Sequence, residues 1–347
     1  GYDVSEARRE LAQKALVQAE RLAPESGETL LAHGYYHYHG FKEYEEAVKS
    51  FRRARGKLVD PTEALLGEAY VLRRLGRFGE AVALFEEALE ISPRDPIALT
   101  ELGLTLIHAG RYPEAVETNR LAQSVTSYEG LSVLHEAWAH WVWKGADGLA
   151  DARDAIDRVR GDRLSDHEAD HYRLWQLFYE GREEAVLELV EGLGEFVRSN
   201  LTFPSSLMRA LALERLGRAE EARADYREAA EALEREIERS PDDYRLYGQL
   251  GYAYAALGRR EDALAFAQRG LEMMPLEKDA IVGPDRLWEL AIVNARLGNA
   301  ETAIEQYRTL VEFSGAYSVP FLEIDFFMDP VRDHPMYKEL IRELGQG

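Results

Sequence analysis

A tandem duplication limits what this chain can fold into. Residues 62–95 read TEALLGEAYVLRRLGRFGEAVALFEEALEISPRD, and residues 96–129 read PIALTELGLTLIHAGRYPEAVETNRLAQSVTSYE. The halves align without a gap, placing Gly76 on Gly110, Phe78 on Tyr112, Ala81 on Ala115 and Ala88 on Ala122. A fixed period of this length marks a stack of helix–turn–helix units. Each unit in such a stack packs only on its neighbours, so 347 residues need not divide into separate cores.

The period extends along most of the chain. Residues 1–26 read as the second half of a unit, with Ala12, Leu16 and Ala19 at helical spacing and Pro24 at its end. The chain is therefore expected to begin inside a repeat. Residues 27–129 hold three units, 130–202 two divergent ones and 203–317 three more, while 318–347 break the pattern. The first of these units carries HGYYHYHGFKEY and one extra residue ahead of Ala47. In residues 203–243 the second helix runs about two turns longer than its equivalents, through ALEREIERS to Pro241.

The recurring residues have mechanical roles. Small residues on the first helix (Ala69, Gly103, Ala210, Gly251, Ala291) meet small ones on the second (Ala81, Ala115, Ala222, Ala263, Ala303) and let the backbones approach. The glycine between them ends the first helix, because it tolerates the left-handed backbone of a C-cap. Pro93 and Pro275 stand where the second helix must stop.

Charge and composition exclude several functions. With 42 Lys and Arg against 63 Asp and Glu, the net charge is -21. Such a chain repels phosphate backbones, and no run of five basic residues offsets this, so neither nucleic acid nor an anionic membrane is expected as a partner. No cysteine is present, which removes disulfides, thiolate metal sites and cysteine nucleophiles. No apolar run is long enough to span a bilayer. A cytoplasmic location is expected, with the periplasm as the alternative.

The spacing of Leu102, Gly103, Gly110, Tyr112, Ala115 and Ala122 resembles the tetratricopeptide repeat. The resemblance implies an all-α, right-handed superhelix of about eight helix pairs with a C-terminal capping segment. The tail DFFMDPVRDHPMYKELIREL resembles the C-terminal segment of bacterial tetratricopeptide regions linked to Ser/Thr kinases, nucleotide cyclases or winged-helix regulators. Their effector signatures are absent from this sequence, so that resemblance implies a sensory or docking segment. Its partner would be a missing N-terminal effector domain or a second copy of the chain. In physical terms Phe326, Phe327, Met328, Met336, Tyr337 and Leu340 are expected to cover the last repeat.

In this family the first helix of each unit lines a concave groove. The resemblance places Tyr35, Tyr38, Tyr70, Trp138, Trp141, His171, Tyr172, Trp175, Phe178 and Tyr179 on that groove, although phenylalanine is commonly buried and Phe178 is expected in the core. Tyrosine and tryptophan give large contact areas and dominate binding hot spots. Arg74, Arg215 and Arg296 recur just before the glycine. Arg74 is a candidate for gripping a peptide carboxylate, although a basic residue at a helix C-terminus also meets the dipole favourably.

Two histidine patterns suggest metals. His167 and His171 in HEADH lie one helical turn apart with Glu168 between them, as in zinc hydrolases, but no third ligand follows and Asp170 adds a charge. His33, His37 and His39 form a cluster best read as surface or satisfied histidines. The expected function is a non-catalytic protein- or peptide-binding scaffold without metal or cofactor. The alternatives are a regulatory segment acting through intramolecular or self-association and, least of all, a zinc hydrolase.

Overall fold

The computed structural model describes residues 6–125, 130–159, 166–198 and 201–345. Helix α1 (Glu6–Leu22) comes first. Two pairs follow, α2 (Gly27–Tyr35) with α3 (Tyr44–Arg55) and α4 (Thr62–Arg74) with α5 (Phe78–Ile91). Next come α6 (Pro96–His108) with α7 (Tyr112–Val125), then α8 (Gly130–Lys144) with α9 (Leu149–Ile156). The fifth pair is α10 (Asp166–Tyr179) and α11 (Glu183–Glu191). A two-stranded antiparallel ribbon, β1 (Phe196–Arg198) and β2 (Thr202–Pro204), then interrupts the helices. Three pairs complete the stack: α12 (Ser205–Arg215) with α13 (Ala219–Arg239), α14 (Arg245–Ala256) with α15 (Arg260–Met273), and α16 (Gly283–Arg296) with α17 (Ala300–Phe313). Helices α18 (Val319–Ile324) and α19 (Pro335–Leu344) form the tail, joined by a 3-10 turn over Phe326–Val331.

Local chemistry sets these boundaries. Asp95 caps α6 by accepting from the Ile97 and Ala98 amides at 2.8 and 3.0 Å, and Pro96 fills the first helical position. Helix α4 ends in a Schellman motif, with the Arg77 amide donating to Leu72 C=O at 2.9 Å and Gly76 N–H to Arg73 C=O at 3.1 Å. Gly76 accordingly sits at φ +73°, and Gly110, Gly181, Gly217, Gly258 and Gly298 repeat the arrangement. The unit 27–61 differs. Its extra residue is absorbed by a π-helical turn over Tyr36–Phe41, and Lys42, not glycine, takes the left-handed position at φ 56°.

The paired small residues are where the period predicts. Ala69, Ala81, Ala115, Ala210, Ala263, Ala291 and Ala303 are fully buried between helices. On α5, Ala81, Val82, Phe85 and Ala88 form one apolar stripe against the preceding helix. Helix α13 has 21 residues where α5, α7, α15 and α17 have 14, which matches the longer second helix expected before Pro241.

The stack closes on itself. The loop between α15 and α16 reaches the first two helix pairs: the Ala280 amide donates to Arg74 C=O at 2.8 Å, and Tyr44 donates its hydroxyl hydrogen to Asp279 at 2.8 Å. The segment after α17 continues this seam. Gly315 N–H donates to His108 C=O at 3.0 Å, the Tyr112 hydroxyl donates to Gly315 C=O at 2.8 Å, and Ser318 bonds Val142 C=O. The tail was expected to cover the last repeat, and α19 does pack on α17. The 3-10 turn packs on α16 as well, with Phe327 meeting Trp288 edge-on at 5.3 Å, and Phe326 and Phe327 also reach Trp175, with ring centroids 6.1 and 5.9 Å away. The reason is geometric, since the closed stack brings α10 within reach of the tail's largest rings.

Candidate functional site

The closure gathers aromatic side chains from both halves around one cavity of about 120 Å³. Helix α8 contributes Trp138 and Trp141, and α10 contributes His171, Tyr172, Trp175 and Tyr179. Across from them stand Asp285 and Trp288 of α16, Ala316 and Tyr317 of the seam, and Phe321 of α18. Helical spacing explains the two contributions from the first half: positions three and four apart share a face, so 138 and 141, or 171, 175 and 179, project together.

The rings brace one another. Trp141 stacks on Tyr172 at 5.4 Å and meets Tyr179 edge-on at 5.2 Å. Trp175 meets Trp288 edge-on at 6.1 Å. The indole N–H groups of Trp141 and Trp288 are satisfied outside the cavity, donating to Gln176 at 2.7 Å and Asp325 at 3.0 Å. Trp141 and Trp175 are buried, whereas Trp138, His171, Tyr172, Tyr179 and Asp285 each retain some accessible surface.

One carboxylate lines this apolar space. Asp285 accepts the Tyr317 hydroxyl hydrogen at 2.9 Å. Burial raises its pKa above the usual carboxylate range, against a smaller opposing pull from Arg286. Arg286 itself is paired with Glu289 at 3.1 Å, both buried. Burial also pushes the His171 imidazole down to about 3, so the ring is neutral near pH 7. The site can therefore surround a compact apolar or cationic group and oppose it with a single negative charge.

Six of the ten candidate binding residues meet here: Trp138, Trp141, His171, Tyr172, Trp175 and Tyr179. The other four sit elsewhere. Tyr35 packs edge-on against Phe51 at 5.0 Å and lines a wider hollow beside α1. Tyr38 lies against Tyr44 at 5.9 Å, and Tyr70 against Phe85 at 5.6 Å. Arg74 does not wait for a peptide carboxylate; its guanidinium is held by Asp279 of its own chain at 3.2 Å. Arg215 and Arg296 are engaged likewise, by Glu183 and Glu214, each at 2.6 Å.

The histidine patterns resolve differently. The His167 side chain lies outside the described residues, while His171 stacks on Phe203 of the ribbon at 5.8 Å. Among the described residues no group of three or more His, Asp or Glu could hold a metal ion. His33 and His37 face Glu20 and Glu43 at 3.0 and 2.6 Å. Sequence reasoning missed Asp285, Trp288, Tyr317 and Phe321. They come from the opposite half, and a repeat pattern carries no signal for contacts between distant units. The only available hint was the Val282-Gly283-Pro284 break, which announces that the chain turns there.

Comparison with known proteins identifies two stretches, residues 66–130 and 204–275, that each match a family model described as Tetratricopeptide repeat. Over 340 residues the chain is 24% identical to the protein described as CTR9 homolog from Arabidopsis thaliana, covering 85% of this chain and 29% of that one. The chain thus spans less than a third of that relative's length. A solved monomeric mutant of IFIT1 with Gppp-AAAA superposes with a TM-score of 0.53 at 15% identity, covering 98% of this chain and 87% of that one. The human IFIT1 dimer with m7Gppp-AAAA gives 0.51 at 15% identity, covering 99% and 88%. At this identity the likeness concerns the fold alone.

Proposed function

We propose that this chain, a tetratricopeptide-repeat protein, is a non-catalytic scaffold that recognises a partner protein through the lumenal aromatic cavity. The observation that carries this reading is the convergence of four tryptophans on Asp285 from both halves of the stack. Aromatic anchors in a desolvated pocket are what binding hot spots are made of. Because the tail occupies much of the lumen, the reading favours capture of one protruding side chain or chain end over an extended peptide laid along the groove.

The charge supports a cationic or neutral partner. The solved neighbours hold an oligonucleotide, but a net charge of -21 repels phosphates and a carboxylate at the cavity wall would add to that repulsion. Selection of displayed random peptides on the purified chain tests the reading. Enriched peptides should carry a basic residue and lose about tenfold or more in affinity for the Trp138→Ala variant. Binders indifferent to that substitution would place recognition elsewhere on the surface.

A second reading, a regulatory segment acting on itself or on its own effector domain, draws support from the tail. Phe326 and Phe327 already fill the lumen that a groove-binding partner would enter. If the tail is a resident occupant, its removal should raise affinity for a selected peptide; under the first reading, removal lowers it.

A further inference from the structure

We infer that the lumenal cavity is a cage for an N-methylated ammonium group, seated against the Trp138, Trp141 and Trp175 rings with Asp285 as its counter-charge. This deepens the proposed function and rests on the reading that the cavity is the recognition site.

Size narrows the ligand first. Whole small-molecule ligands occupy pockets of about 300–1,000 Å³, whereas this one has about 120 Å³. A headgroup or a single side-chain end fits that space; a nucleotide or cofactor does not.

Chemistry narrows it further. The lining is largely ring surface, and ring faces carry the negative side of the aromatic quadrupole, which attracts cations. A primary ammonium brings three N–H donors and needs as many acceptors. The cavity presents one carboxylate, and that group already accepts from Tyr317 at 2.9 Å. Unmethylated lysine would exchange full hydration for a wall that is mostly ring carbon, with hydroxyls and one imidazole as its remaining polar groups. Methylation removes the donors, keeps the positive charge and adds apolar surface that the rings can cover.

The surrounding charges agree with a cationic occupant. Arg286, next to Asp285 in the sequence, is paired with Glu289 at 3.1 Å, and its pull on Asp285 is smaller than the effect of burial. His171 stays neutral near pH 7 and does not repel a cation. The overall charge of -21 raises the local concentration of cations around the molecule.

The test is titration of choline and tetramethylammonium into the full chain, followed by tryptophan fluorescence, beside 3,3-dimethylbutan-1-ol, the neutral carbon isostere of choline. Saturable binding of the cations is expected, with the isostere weaker by about tenfold or more. Asp285→Asn should cost a similar factor, and Trp138→Leu should weaken binding where Trp138→Phe retains most of it. Equal binding of the isostere would overturn the proposal, because the cavity would then be reading shape without charge. So would unchanged cation affinity in both Asp285→Asn and Trp138→Leu; the half-buried Trp138 supplies an independent variant if the first unfolds.

Peptides with trimethylated or unmodified lysine distinguish the source of the group. Tighter binding of the trimethylated peptide than of choline assigns the group to a modified protein side chain; the reverse assigns it to a free small molecule. Choline binding without any selectable peptide would keep the cage and discard the protein partner. Peptides bound without regard to methylation would keep the partner and discard the cage.

Discussion

Arg74 and Asp279 meet across the stack, guanidinium to carboxylate at 3.2 Å, although 205 residues separate them along the chain. Asp279 is buried and also accepts from the Tyr44 hydroxyl and the Ile281 amide. Removing it strands a cation and a buried phenol at once. Asp279→Ala should therefore cost about 3 kcal/mol, the low end for a broken buried pair because Arg74 keeps some solvent contact. Chemical denaturation checks this, and a double-mutant cycle with Arg74→Ala should return a positive coupling energy.

Gly251 marks a close crossing of α14 and α15. A Cβ added there would lie 2.8 Å from the Ala263 carbonyl oxygen and 3.0 Å from the Ala267 nitrogen. Backbone cannot swing aside as a side chain can. Gly251→Ala should destabilise by about 1–3 kcal/mol despite alanine's better helix propensity, whereas a gain in melting temperature would mean that α14 and α15 can separate freely.

His108 makes stability depend on pH. Buried on α6 and 3.1 Å from the Ser314 hydroxyl, its imidazole is pushed down to about 3 by desolvation first and by Arg73 and Arg74 next. An unfolded histidine titrates near 6.5. Between those values the unfolded state binds the extra proton, so this residue's contribution falls as pH falls through that window. Relative to His108→Gln, the wild type should lose up to about 1.4 kcal/mol per pH unit there. Parallel denaturant titrations of the two proteins across the window measure the difference.

The tail's rings should matter more than its final helix. Phe327 is buried against Phe326, Trp288 and Tyr252 at 4.3, 5.3 and 5.1 Å, while Met336 on α19 is only half-buried. Phe327→Ala should cost about 3–5 kcal/mol, and Met336→Ala clearly less. Comparable losses from the two would show that α19 holds the tail as firmly as its rings do.

Much of the fold was legible because it is local. Gly76, Gly110, Gly217, Gly258 and Gly298 each end a helix in the left-handed conformation, which nearest-neighbour chemistry alone dictates. Even the extra residue before Ala47 was visible, and the π-helical turn is how the chain accommodates it. The ribbon at 196–204 was not, since three-residue strands are too short to show a period. The candidate site was half legible. Trp138, Trp141 and Trp175 stood out as departures from a regular repeat, whereas Asp285 and Tyr317 acquire meaning only once the ends have met. The arginines misled for the same reason: Arg74 looked available because Asp279 lies far away in the sequence.

The seam also changes how the molecule should bear load. An open solenoid pulled by its ends peels one repeat after another, because each unit holds only its neighbours. Here force applied at the two ends is shared by the bonds linking Arg74, His108 and Val142 to the far end of the chain. A first, larger rupture is expected when that clasp opens, followed by the shallow sawtooth of the individual repeats. Under tension the chain is a buckle before it is a spring.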